Sequence, residues 1–368
     1  MTLFPDARTG IHAMLRWVAA RAPDAEVILP DYNFFAVPAM VRRAGLRPVF
    51  VDVTAPAGEP SLDVVARAVT PRTRAVLLGH FFGRPCDLRA WRDFAAARGL
   101  WIIEDCAHAY GASVDGRSVG RWGLGGAFSL SLTKGLTGVM GGAVVTDDPE
   151  MAAWLRGCER EAPALPRAEV VRAILSALGG TALFDDVIYP VALQPLQRAL
   201  DGIGVDLYER LMAERPMRCD PPAVATAAAM PSPCADLARG HLARARRDID
   251  AQRARARAVI SAGPWRRFRA PDWEGDRAAT YLNLVLRAPE ARALRRFLLR
   301  RGIDTRGDYL SSSTGDARAF PESARLVREG VYLPVRALRG DADLARLIDA
   351  LHAFDAGATV VAPARSAP

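Results

Sequence analysis

The segment AFSLSLTKGLTGVMGGAVVT, residues 127–146, contains the only lysine of the 368-residue chain, Lys134; the other 48 of its 49 basic residues are arginine. Arginine can replace lysine wherever a positive charge and an apolar stem suffice, but its guanidinium stays protonated and cannot form a Schiff base. The alternating residues before Lys134 predict a strand, and the glycines after it predict a loop that lets backbone approach a ligand. These features favour a catalytic lysine over a residue left by chance in an arginine-biased sequence.

The composition excludes several classes of partner. Half of the residues are hydrophobic, which suffices for one large domain and a smaller one. The net charge of +8 comes from scattered arginines, and the densest run, residues 244–257, lacks the interleaved aromatic residues of a nucleic-acid surface. Five widely spaced cysteines predict a reduced, cytoplasmic compartment and no metal site. We see neither a signal peptide nor an unbroken membrane span, so we expect no membrane contact.

Short apolar segments alternate with amphipathic ones from residue 8 to about residue 150. This alternation predicts a three-layer α/β/α domain around a mostly parallel sheet. The Thr9–Gly10 pair is predicted to open its first helix, whose N-terminal amides could bind a phosphate. The strands are predicted at residues 27–30, 47–53 and 100–103.

Two acidic residues, Glu104 and Asp105, follow the last of these predicted strands. Ligands of open α/β sheets bind outside the carboxyl ends of the strands. An acid there and a lysine one strand later are the groups that pyridoxal phosphate needs: an amine for the aldehyde and a carboxylate to keep the ring nitrogen protonated. Asp105 could instead cap the following turn, but its combination with Lys134 favours the cofactor role.

Three motifs together carry a family resemblance: EDCAHAYGA at 104–112, FSLSLTKGL at 128–136 and GGAVVT at 141–146. The chain thereby resembles the DegT/StrS family of pyridoxal-phosphate-dependent sugar aminotransferases. The likeness covers most of residues 8–160 and, more loosely, 230–355. It implies the fold of type I, with a large α/β domain and a small C-terminal α+β domain.

The resemblance also implies which residues contact the cofactor. Lys134 would hold it covalently, and Asp105 would pair with the ring nitrogen. His108 would lie against the ring or its phenolic oxygen, and Phe34 would stack on the ring face. His108 and Phe34 could otherwise be ordinary core residues.

The same resemblance places the cofactor phosphate at the start of the first helix. The hydroxyl of Ser129 would bind it together with the amides of Gly10 and Ile11, and Thr9 could add its hydroxyl. No metal ligands are implied.

The implied domain boundaries are residues 1–233 for the large domain, 234–356 for the small domain and 357–368 for a disordered tail. Residues 163–231 diverge from the family and contain apolar stretches. We expect them to form helices that pack on the domain or on a second subunit; a role at a membrane surface is the alternative.

The function implied by the resemblance is transamination. Glutamate or glutamine would donate the amino group to a keto sugar, nucleotide-linked, or to a cyclitol, in a cytoplasmic homodimer. A lyase, a decarboxylase or a C–C-bond-forming enzyme on the same fold is the first alternative. A non-catalytic regulatory relative is less favoured, because Asp105, Ser129 and Lys134 are all present.

Overall fold

The computed structural model describes residues 1–54, 58–183, 194–202, 229–271, 277–305 and 310–357. Its strands are β1 (Thr2–Phe4), β2 (Glu26–Pro30), β3 (Tyr32–Asn33), β4 (Arg47–Val51), β5 (Thr73–Gly79), β6 (Trp101–Asp105), β7 (Ser113–Val114), β8 (Arg117–Ser118), β9 (Gly125–Ser129), β10 (Gly142–Val145), β11 (Arg277–Ala278), β12 (Leu284–Arg287), β13 (Ser311–Ser312) and β14 (Gly330–Leu333). Its helices are α1 (Ala7–Arg21), α2 (Ala36–Arg43), α3 (Leu62–Ala68), α4 (Leu88–Ala96), α5 (Pro149–Glu161), α6 (Arg167–Leu183), α7 (Gln194–Gly202), α8 (Ser232–Ser261), α9 (Ala291–Arg300), α10 (Pro321–Glu329) and α11 (Asp341–Asp355).

The central sheet has seven strands in the order β1-β10-β9-β6-β5-β2-β4. Strand β10 is antiparallel to both of its neighbours, and the pairs from β9 to β4 are parallel. Neighbouring residues of one strand point to opposite faces. In β2, for example, Val27 and Leu29 pack with α1, α2 and α5, whereas Ile28 packs with α3 and α4. The predicted three-layer α/β/α arrangement is therefore confirmed, as are the predicted strands that became β2, β4 and β6.

Helix α1 begins earlier than the Thr9–Gly10 pair suggested. Its N-cap is Asp6, whose side chain accepts a hydrogen bond from the amide of Thr9. The prediction that the helix opens at Thr9 is wrong, because a carboxylate three residues before that amide provides the cap. Gly10 lies in the second turn, where an added Cβ would come within 2.6 Å of Val144 in β10.

A second hydrophobic core lies in the C-terminal part of the chain, among residues 256–354. It is built around the antiparallel pair β12–β14, with α9, α11 and the end of α8 packed against it. The first half of α8 instead packs on the large sheet, through Ala238 and Ala245 against Leu130, Leu136 and Ala143. Helix α8 thus bridges both cores, and the boundary between residues 233 and 234 stays a prediction.

The divergent segment 163–231 is described only in part. Helix α6 lies beside the start of α8, with Ile174 and Ala177 facing Leu237. Val171, Leu175 and Leu178 of α6 are exposed. The second apolar stretch, residues 187–193, and the tail from 358 onward lie outside the described residues. Among the helices that the structure describes, none combines the length and hydropathy needed to cross a membrane.

Candidate active site

A cavity lies at the carboxyl ends of β5, β6 and β9. Its lining includes six of the residues predicted for the site: Ile11, Phe34, Asp105, His108, Ser129 and Lys134. These residues are up to 123 positions apart in the chain, from 11 to 134. The sheet edge brings them together as expected for an open α/β domain.

Lys134 lies in the loop that joins β9 to β10, and only 6% of its surface is exposed. The loop is held by backbone hydrogen bonds, from the amide of Lys134 to the carbonyl of Ser131 (3.0 Å) and from Gly138 to Leu130 (2.9 Å). The glycine at 138 is required by packing, because a Cβ there would lie 2.4 Å from the carbonyl oxygen of Cys234 in α8. Gly138 was predicted to let the backbone approach a ligand. Its observed role is instead to let α8 pack closely against the loop that carries Lys134.

A residue from the C-terminal part of the chain contacts the loop that carries Lys134. Arg336, just after β14, donates a hydrogen bond from Nη1 to the carbonyl of Thr133 at 2.9 Å. The residue before the lysine is thus tied to a residue about two hundred positions further along the chain. The sequence motifs gave no signal for this contact.

Asp105 ends β6 and is buried beside Lys134. Its Oδ1 accepts a hydrogen bond from the amide of Ala107 at 3.0 Å, so the carboxylate both caps the following turn and lines the cavity. Burial raises the pKa of Asp105, while the Ala107 amide and the positive charge of Lys134 lower it. The cap considered from the sequence is therefore present, and the pairing of Asp105 with a cofactor ring nitrogen stays a prediction.

Glu104 points to the opposite face of the sheet, away from Lys134. Its carboxylate accepts hydrogen bonds from the amides of Gly120 (2.7 Å), Trp122 (2.8 Å) and Gly123 (3.3 Å). It also pairs with Nε2 of His80 at 3.0 Å, and the amide of Cys86 donates to Nδ1 of His80 at 3.2 Å. With Nδ1 accepting, the proton of His80 is on Nε2, facing Glu104.

His80, Glu104 and Cys106 offer ligand atoms within 4.8 Å of one another. Both nitrogens of His80 and both oxygens of Glu104 already have hydrogen-bond partners. Burial and the nearby carboxylates also raise the pKa of the Cys106 thiol well above its usual range. This cluster is accordingly a structural network that fixes the end of β6, rather than a vacant metal centre.

His108 is buried and receives a hydrogen bond at Nδ1 from the amide of Phe82 at 3.3 Å. Burial lowers the pKa of its imidazole well below the usual range, and the charge of Lys134 lowers it further. The ring is therefore neutral, with its proton on Nε2. Phe82 has a left-handed backbone, with φ at 57°, which aims its amide at the histidine.

Phe82 was not identified from the sequence, although it lies at the centre of an aromatic chain. Its ring is 5.9 Å from that of His108 and stacks on Tyr332 of β14 at 4.9 Å. The hydroxyls of Tyr332 and Tyr32 are 3.0 Å apart and buried. Tyr332 of β14 thus supports His108 through Phe82.

At the end of the cavity where the phosphate is predicted to bind, the lining residues are not all the predicted ones. The residues of α1 that line it are Ala7, Arg8 and Ile11, together with the cap Asp6, and Thr9 and Gly10 are not among them. The amide and the hydroxyl of Thr9 both donate to Oδ1 of Asp6, at 2.8 and 3.0 Å.

The amide of Gly10, in turn, donates to the carbonyl of Asp6 at 3.4 Å. The reason for the difference is the earlier helix start, which moves the first-turn amides to Ala7 and Arg8.

Ser129 and Phe34 both line the cavity. Ser129, the last residue of β9, is hydrogen-bonded through its hydroxyl to that of Ser131 at 3.2 Å. Phe34 is half-buried, and its ring is 4.5 Å from that of Phe35. Both side chains line the cavity, and their contacts with a cofactor stay predictions.

The protein has a mostly parallel seven-stranded sheet, a lysine after β9 and a carboxylate ending β6, as the predicted fold of type I requires. The crystal structure of S. venezuelae DesV has this fold: it superimposes with a TM-score of 0.71 and 24% identity, covering 96% of this chain and 84% of that one. Residues 5–165 match the family model described as the DegT/DnrJ/EryC1/StrS aminotransferase family. The resemblance inferred from the three motifs is therefore confirmed.

Two curated relatives show how far the sequence similarity extends. A dTDP-4-dehydro-2,3,6-trideoxy-D-glucose 4-aminotransferase of Saccharopolyspora spinosa is 42% identical over 130 residues, 35% of this chain and 34% of the relative. An L-glutamine:2-deoxy-scyllo-inosose aminotransferase of Streptomyces kanamyceticus is 38% identical over 127 residues, 34% of this chain and 30% of the relative. The alignments thus span about a third of each relative's length.

Proposed function

We propose that the protein is a pyridoxal-phosphate-dependent aminotransferase acting on a keto sugar or a cyclitol. The observation that carries the proposal is the position of the chain's only lysine, buried in the lining of a cavity that also holds Asp105 and His108. The donor set fits the cofactor: an amine, a buried carboxylate, a neutral imidazole, a half-buried aromatic ring and two serine hydroxyls line one space. A guanidinium in place of that amine could not make the covalent link.

Each of these groups has a task that follows from its surroundings. Lys134 would hold the cofactor through Nζ and, once an amino donor has displaced it, carry a proton at the same atom. Asp105 would hold a proton at the ring nitrogen. His108 can only donate from Nε2, since its Nδ1 receives the amide of Phe82. Bound pyridoxal phosphate would supply the electron sink that allows a proton to leave the substrate carbon.

The substrate class is supported by the relatives rather than by the cavity itself. One relative is named for a dTDP-linked dehydro-sugar and the other for 2-deoxy-scyllo-inosose, with L-glutamine as the donor. We therefore propose glutamine or glutamate as donor, and a nucleotide-linked keto sugar or a cyclitol as acceptor. The family match ends at residue 165, so the divergent segment is where acceptor preference would differ from that of the relatives.

We further propose a cytoplasmic homodimer. Val171, Leu175 and Leu178 recur at positions i, i+4 and i+7, so they form an exposed apolar stripe on one face of α6. Such a stripe is typical of a surface that a second subunit covers. We therefore propose that the divergent segment, residues 163–231, contributes to the subunit interface through α6.

Borohydride reduction after incubation with pyridoxal phosphate tests the proposal, followed by peptide mapping. We expect one phosphopyridoxyl adduct, on Lys134, and none in Lys134→Arg, which keeps the charge but not the nucleophile. In a separate, unreduced sample, addition of glutamate or glutamine should yield the corresponding keto acid and bleach the visible absorbance of the bound cofactor. An adduct elsewhere would refute the catalytic role of Lys134. Cofactor binding with carbon dioxide release instead of keto acid would favour the lyase or decarboxylase alternative.

A further inference from the structure

The first turn of α1 contributes to the lining of the candidate active site. Asp6, Ala7 and Arg8 line the cavity, and the N-terminus of a helix favours an anion through its amides and its dipole. Gly142 fixes this arrangement, because a Cβ there would lie 2.3 Å from the backbone carbonyl carbon of Asp6. Gly142 also pairs with Ser129 in the sheet. The start of α1 and the hydroxyl of Ser129 therefore line the same part of the cavity.

This helix start carries a charge that opposes an incoming phosphate. Asp6 places a carboxylate at the N-cap, and 29% of its side chain is exposed. The hydroxyl and amide of Thr9 are both donated to that carboxylate, so neither is directed into the cavity. A phosphate bound there would lie close to a negative charge, which costs free energy unless a cation compensates.

Arg8 is placed to provide that compensation. Its Nη2 is 3.0 Å from Oδ2 of Asp6, and its side chain is 22% exposed. Among the described residues that line the cavity, Arg8 and Lys134 are the only lysine or arginine side chains. Lys134 is assigned to the covalent link, which leaves Arg8 as the cation for the phosphate. A guanidinium has five N–H groups in a planar fork, so it can hold a carboxylate and a phosphate at the same time.

We propose that Arg8 is the residue that binds the cofactor phosphate, with Asp6 orienting its guanidinium. This inference rests on the proposed pyridoxal-phosphate function and deepens it: the phosphate is held by a charged side chain of the chain's own first helix, together with Ser129. The Thr9 hydroxyl has no part in this clamp. The clamp selects phosphorylated over unphosphorylated pyridoxal.

Titration with pyridoxal phosphate and with pyridoxal, followed by visible absorbance, separates the phosphate contacts from all others. In Arg8→Gln we expect the affinity for pyridoxal phosphate to fall roughly tenfold to hundredfold, the usual effect of losing a charge-assisted hydrogen bond. The affinity for pyridoxal should stay unchanged, and this also shows that the variant is folded. Arg16→Gln is the matched control, because Arg16 is an exposed arginine of the same helix that does not line the cavity.

A double variant tests the role of Asp6. Asp6→Asn in the Arg8→Gln background keeps a capping side chain but removes the carboxylate, so part of the lost affinity for the phosphate form should return. No recovery would overturn the proposed repulsion. If Arg8→Gln keeps the wild-type preference for the phosphate form, or loses affinity for both compounds equally, the assignment of Arg8 is wrong. If the wild type binds neither compound at Lys134, the proposed function itself fails.

Discussion

His12 of α1 provides a sharp test of how burial controls stability in this fold. Its side chain is 6% exposed, and its Nε2 has no hydrogen-bond partner within the described residues. Burial, together with the positive charges of Arg43 and Arg16, lowers the pKa of His12 from 6.5 to about 4. The ring is therefore neutral in the folded protein at neutral pH.

The sign of the effect follows from the proton balance. Between pH 6.5 and about 4 the unfolded chain binds a proton at His12 that the folded chain does not, so acid favours unfolding. The stabilisation is fully present above pH 6.5 and decreases as the pH falls toward 4. At about 1.4 kcal/mol for each pKa unit, the difference corresponds to about 3 kcal/mol in the free energy of unfolding.

Urea unfolding of the wild type and of His12→Gln between pH 7.5 and pH 4 measures this contribution. We expect the wild type to lose about 3 kcal/mol more than the variant across that interval. His352→Gln is the control, because His352 is exposed on α11 and the steep pH dependence should persist without it. If His12→Gln keeps the full acid sensitivity of the wild type, burial of this ring is not its cause.

Three further predictions concern the site and the assembly. Asp105→Asn should bind the cofactor but lose most single-turnover activity, since an amide cannot hold the proton at the ring nitrogen; activity within a few-fold of wild type would leave Asp105 a structural cap. Arg336→Met should increase the mobility of the loop that carries Lys134, because it removes the hydrogen bond to Thr133. Borohydride should then reduce the link between Lys134 and bound pyridoxal phosphate faster, and an unchanged rate would contradict this. The double variant Leu175→Asp and Leu178→Asp should yield monomers in light scattering, whereas Ser176→Asp, exposed on the same helix, should not; dimers in the double variant would refute the α6 interface.

The sequence was sufficient for those features that depend on local pattern. The alternation of apolar residues predicted β2, β4 and β6, and chemistry that only an amine can perform identified Lys134. The start of α1 was misplaced by two residues, Thr9 instead of Ala7, because the Thr9–Gly10 pair resembles a helix opening. A carboxylate at Asp6, three residues before the amide of Thr9, was the signal that could have located the cap.

Other site features depend on tertiary contacts that no local pattern encodes. Phe82 supports His108 only because Tyr332, 250 residues later, stacks on it. The hydrogen bond from Arg336 to Thr133 likewise joins residues that are 203 positions apart in the chain. Glu104 is the exception, since neighbouring strand residues face opposite sides, and this rule alone separates its side chain from that of Asp105.

Because the chain has a single, buried lysine, that residue can serve as a site-specific spectroscopic probe of the cavity. Lysine enriched with a nitrogen or carbon isotope would introduce one labelled side chain, in the lining of the cavity, without any engineered tag. One magnetic-resonance signal would then follow every ligand that enters. Amine-reactive reagents would modify only Lys134 besides the N-terminal amine. Because 6% of Lys134 is exposed, the extent to which a bound molecule protects it from modification can be measured on the intact chain.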